Sequence, residues 1–158
     1  MSGIGLRLSP RLRRFTYAVL AVVFASGVAW WVLARWGEVE TEFGPGPHPL
    51  LPWLLRLHGA AAMLTLFLVG YLAPIHALRA WRVRLNRNSG VGLVAALAVL
   101  TLTGWLLYYS GSERLRELAS SSHLWLGLAL PAFVFVHVWR GRVARRRQGR
   151  MRRSSTPH

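Results

Sequence analysis

The chain has 158 residues, 53% of them hydrophobic, and a formal charge of +15, in which arginine supplies every basic side chain. The apolar residues lie in four long blocks, each near the roughly 20 residues that span a bilayer as a helix, which argues against a soluble fold. No binding motif accompanies the arginines, so no nucleic-acid partner is expected, and the absence of cysteine excludes disulfides, iron–sulfur ligation, covalent haem attachment and thiol catalysis.

The first block, residues 15–36, follows Arg11, Arg13 and Arg14. It is longer than a secretory signal core and has no small-x-small cleavage site before Trp30 and Trp31, so it reads as a retained helix. The segment after it, GEVETEFGPGPHPLLP, is acidic and rich in Gly and Pro, and reads as an irregular loop. The second span covers residues 53–80, the third 90–110 and the fourth 121–140. None of them alternates polar and apolar residues in steps of two, so strands are a poor reading. The chain therefore divides into a basic N-terminus (1–14), a four-helix transmembrane domain (15–140) and a basic tail (141–158) read as irregular. The expected fold class is all-α, a transmembrane four-helix bundle.

Arginine placement sets the expected orientation. Four arginines precede the first span, four separate the second from the third, and eight follow from Arg140 onwards. The opposite side holds only Arg35, Arg56, Arg114 and Arg116, together with all five acids. The positive-inside rule puts both termini in the cytoplasm, with the tail against anionic lipid. Trp30, Trp31, Trp36, Trp53, Tyr108, Tyr109 and Trp125 mark the outer interface, and Trp81 and Trp139 the inner one.

Four of the six histidines fall within spans: His58 and His76 in the second, His123 and His137 in the fourth. An ionisable side chain at membrane depth is costly and points to function. His58 and His76 are separated by whole helical turns and share one face; His123 and His137 are about 40° from alignment. Both helices run from outside to inside, so His58 is expected level with His123 and His76 level with His137. Two histidines facing each other at two heights suit two bis-histidine haems in a bundle core. Small residues beside them, among them Ala61, Ala62, Ala73 and Gly127, leave room for a macrocycle. The helix rise gives about 27 Å for the first pair and about 21 Å for the second; a kink at Pro74 is expected to close that gap. Arg79 and Arg140 each follow an inner histidine by three residues and are candidates for haem propionates, as is Arg56 outside. Arginines at a cytoplasmic helix end also serve topology alone. The plainer reading of the histidines is interhelical hydrogen bonding.

The runs RLHGAAAMLTLFLVGYLAPIHALRAW and SSHLWLGLALPAFVFVHVWRG, joined by SGVGLVAALAVLTLTGWLLYYSG, resemble small bacterial b-type cytochromes. These form the four-helix di-haem group that includes cytochrome b561-like proteins and membrane subunits of respiratory dehydrogenases. The resemblance covers about residues 50 to 142, and the thirteen residues between His123 and His137 are its most specific match. It implies two non-covalent b haems, electron transfer through a bacterial inner membrane, exchange with quinone, and a redox partner protein or a larger complex. The expected role is an electron carrier or oxidoreductase subunit rather than a stand-alone enzyme. A haem-free membrane anchor or assembly subunit is the alternative. A small transporter is weakened by the lack of acids in the spans.

Overall fold

The structure, a computed structural model, describes residues 9–73 and 87–154, with side chains up to residue 144 and at 146. Its helices are α1 (Pro10–Trp36), α2 (Leu51–Leu72), α3 (Arg87–Tyr109) and α4 (Glu113–Ser154). All four carry stretches long and apolar enough to cross a membrane. The chain is all-α in its main elements and is a multi-pass membrane protein. It divides into two compact units, Met1–Ile75 and His76–His158; α1 and α2 pack together in the first, α3 and α4 in the second.

Local chemistry explains where α1 and α4 begin. Ser9 caps α1 by accepting a hydrogen bond from the Leu12 amide (3.2 Å), and Pro10 takes the first position, where no backbone donor is needed. This starts α1 five residues ahead of the apolar block. Ser112 does the same for α4: its Oγ accepts from the Leu115 amide and its carbonyl from the Arg116 amide. Glu113 follows in the positive first turn. Residues 113–120, read from sequence as a polar outer segment, are thus the first turns of α4. The tail read as irregular from residue 141 instead continues α4 to Ser154, because Arg, Gln and Met are good helix formers and no Pro intervenes before residue 157.

The loop after α1 also differs from the expected irregular chain. Val39–Thr41 and Gly44–Gly46 form an antiparallel pair, β1 and β2, with Thr41 opposite Gly44. The Thr41 hydroxyl donates to the Gly44 carbonyl (2.6 Å) and accepts from the Phe43 amide (3.3 Å). Gly44 supplies the positive φ of 97° that the tight turn requires. Phe43 at the tip is 98% exposed.

Each unit buries one narrow seam. In the second unit the α3 seam is Ser89, Ala96 and Thr103, and the α4 seam is His123, Leu130 and His137, both in steps of seven. Ser89 meets His137 and Thr103 meets His123, so the helices run antiparallel. Buried Ala96 and Leu130 lie midway. The first unit repeats the pattern, with Val19 and Ser26 on α1 against His58, Ala61, Thr65 and Leu68 on α2. A seven-residue repeat of small and medium residues is coiled-coil packing, and small residues let backbones approach where lipid removes any hydrophobic drive between helices.

The hydroxyls of Ser26, Thr65 and Thr103 each bond a carbonyl of their own helix. Thr65 donates to the Ala61 carbonyl (2.9 Å) and Thr103 to that of Val99 (2.8 Å). Large apolar and aromatic side chains point away from the seams: Phe67, Trp105, Tyr108, Trp125 and Phe135 are each more than half exposed. Trp31 meets Trp36 edge-on at 5.3 Å, and Trp105 lies 5.4 Å from Tyr109, so aromatics gather where these helices end, as interfacial belts do.

Replacing Ala96 by Phe should overpack the α3–α4 seam and cost about 1–3 kcal/mol, read as a lower unfolding midpoint in detergent. Val94, two residues away and 54% exposed, should accept Phe without change.

Candidate functional site

Three of the four histidines expected to carry function lie within the described residues, and each is half-buried on a seam. His58 projects from α2 onto α1. Its Nδ1 donates to the Val23 carbonyl at 2.9 Å, with Ser26 Oγ at 3.3 Å as a second acceptor. His123 projects from α4 onto α3, with Nδ1 3.0 Å from Thr103 Oγ1. His137 lies two heptads further along α4, with Nδ1 3.2 Å from Ser89 Oγ.

For His58 the partner fixes which ring nitrogen carries the proton. A carbonyl only accepts, so the contact with Val23 requires a proton on Nδ1, and in the neutral ring the lone pair resides on Nε2. The Ser26 hydroxyl lies 2.6 Å from the Val22 carbonyl, to which it donates. Thr103 Oγ1 stands 2.8 Å from the Val99 carbonyl and 3.0 Å from His123 Nδ1, so a proton given to Val99 leaves its oxygen to accept from that ring.

A glycine stands beside every one of these hydroxyls. A Cβ on Gly27 would sit 2.9 Å from His58 Cε1, on Gly104 3.4 Å from His123 Cε1, and on Gly90 3.7 Å from His137 Cε1. The pairs Ser26–Gly27, Ser89–Gly90 and Thr103–Gly104 thus each receive one imidazole: the hydroxyl bonds it and the glycine lies against it, and at Gly27 the ring sits too close for any Cβ.

The remaining expected residues are placed as follows. Arg56 is exposed on α2, its guanidinium 4.9 Å over the Trp53 ring, a cation–π contact at the start of the helix. Arg140 is exposed, one turn beyond His137. His76, Arg79, Pro74 and Trp81 lie outside the described residues. His48, in the loop before α2, accepts the Leu50 amide at Nδ1 (3.2 Å) and the Leu51 amide at its carbonyl (3.1 Å), so it fixes the start of α2. Among the described residues no three His, Asp or Glu side chains gather into one group.

The donor chemistry of these histidines fits a protein ligand of haem iron. Iron-binding imidazoles present one nitrogen to the metal and donate the other N–H to a carbonyl or similar acceptor, which holds the ring plane and raises ligand basicity. His58 meets that requirement through the Val23 carbonyl, and Thr103 offers His123 an oxygen in the same position. Comparison with known proteins adds no assignment: no family model, no curated protein and no solved structure matches the chain.

Sequence reasoning identified the histidines and missed their acceptors. A signal was present: Ser89 and Thr103 are fourteen residues apart, as are His123 and His137, which is what two antiparallel helices need to meet at two levels.

Gly27→Ala should displace the His58 ring and weaken its bond to Val23, lowering stability by about 1–3 kcal/mol. Gly59→Ala, with open space around it, should leave the unfolding midpoint unchanged.

Proposed function

We propose that this protein is a membrane-embedded b-type cytochrome that carries electrons between a periplasmic partner and quinone or a cytoplasmic acceptor. The observation that carries the reading is the contact at Nδ1 of each ring: His58 donates to the Val23 carbonyl at 2.9 Å, and His123 lies 3.0 Å from Thr103 Oγ1, which makes Nε2 the nitrogen that would meet a metal. In this reading His58 and His123 would hold the iron of an outer haem, and His76 and His137 that of an inner one. Arg79 and Arg140 would bind propionates at the inner site and Arg56 at the outer. Bound haem supplies one-electron chemistry; the chain holds the iron ligands in fixed orientation and keeps water away. The arginine asymmetry supports an inner-membrane location with both termini in the cytoplasm.

One observation favours a second reading. His58, His123 and His137 each bond a neighbouring helix, as they would in a haem-free anchor subunit that uses imidazoles to join helices.

Spectroscopy separates the two. The cytochrome reading requires purified protein to be red, with a reducible Soret band and a pyridine haemochrome stoichiometry of two per chain. Colourless protein from haem-replete cells would select the anchor. His123→Ala or His58→Ala should remove one haem and leave the other, His137→Ala should remove the other, and His48→Ala should keep both.

Reporter fusions test the orientation. A periplasmic reporter is expected to be active at Gly46 and inactive at the C-terminus; the reverse would exchange the outer and inner sites.

A further inference from the structure

Three histidines each meet a hydroxyl–glycine dipeptide, and the hydroxyl and the glycine do different work. The hydroxyl offers an acceptor: Ser26 and Thr103 lie 2.6 and 2.8 Å from carbonyls one turn back, and a proton given to those carbonyls leaves their oxygens to accept from the ring. At Gly27 the glycine sets the distance: a Cβ there would come within 2.9 Å of the ring, closer than van der Waals contact permits.

We infer that Ser26, with the glycine that follows, and Thr103 are positioning residues that tune the electron-donating power of His58 and His123 towards haem iron. This rests on the cytochrome reading. A ring that donates from Nδ1 is a better σ-donor at Nε2 and favours ferric over ferrous iron. The two histidines differ. His58 has the Val23 carbonyl at 2.9 Å, closer than Ser26 at 3.3 Å, so Ser26 is its secondary acceptor. At His123 the hydroxyl of Thr103 stands at 3.0 Å. Thr103 is therefore the stronger control.

The test uses the full-length protein with its haem. Thr103→Val keeps the side-chain shape and removes the acceptor. It should raise the midpoint potential of one haem by the equivalent of a tenfold change in the ferric–ferrous preference, about 59 mV for one electron. It should also move the low-spin ferric EPR signal of that haem. Thr103→Ser should restore the wild-type potential and spectrum, and Ser26→Ala should have a smaller effect. Gly27→Ala, with Ser26 intact, should press on His58 Cε1 from 2.9 Å and change the EPR anisotropy of a haem, which keeps the test open if Thr103→Val is produced poorly. Unchanged potential and EPR in both variants would overturn the inference. If the purified protein binds no haem, the cytochrome reading fails separately, and the tautomer is then read from 15N shifts of labelled histidine. A proton on Nδ1 of His123 that Thr103→Val redistributes supports positioning by Thr103; a proton on Nε2 in the wild type overturns it.

Discussion

An imidazole inside a bilayer must find a hydrogen-bond partner in the protein, because the hydrocarbon offers none. Much of the described structure follows from meeting that demand. The acceptor has to come from a neighbouring helix, it has to have no competing claim on the ring's proton, and the two backbones have to be close. Val23, Ser26 and Thr103 meet the first two conditions, through a carbonyl or through hydroxyls already bonded to their own helices. Gly27 meets the third, since a Cβ there would come within 2.9 Å of the His58 ring. Once these contacts form, the register of each helix pair is set, and the seven-residue seams of small side chains align with them.

Taken one at a time, the two units use this device unequally. α1 has a single hydroxyl–glycine pair, Ser26–Gly27, and the rest of its seam is represented by buried Val19. α3 has two such pairs, with buried Ala96 between them. The second unit therefore fixes two histidines in one repeat, whereas the first fixes one. The apolar remainder of each helix is turned outward: Phe67 on α2 and Phe135 on α4 are 70% and 68% exposed, as expected where the solvent is lipid and only the seam is protein interior.

The four spans, the all-α class and the histidines were legible in the sequence, since span length and hydropathy are imposed by the bilayer itself. Boundaries were less so. The apolar block marks where lipid begins, whereas Ser9 and Ser112 mark where the helix begins, and capping extends α1 and α4 beyond the apolar residues. The β1–β2 hairpin was hidden because Gly and Pro dominate its composition, while Thr41 and Gly44 alone close the turn. The acceptors of the histidines escaped notice for a different reason. A Ser or Thr in an apolar helix reads as a minor polar interruption until the facing register is known, and only then does Thr103 fall opposite His123.

The length of α4 places one helix in two solvents. Its 42 residues extend about 63 Å, against about 30 Å of hydrocarbon. Within the bilayer an opened peptide group gains no replacement partner, so the middle of the helix resists fraying whatever its residues prefer. In water each opened group is rehydrated at once, and the arginine-rich end keeps its helix only by intrinsic propensity, the margin of which is a fraction of a kcal/mol per residue. Amide exchange along this single element should thus change steeply near the membrane surface, with no break in the backbone to mark the place.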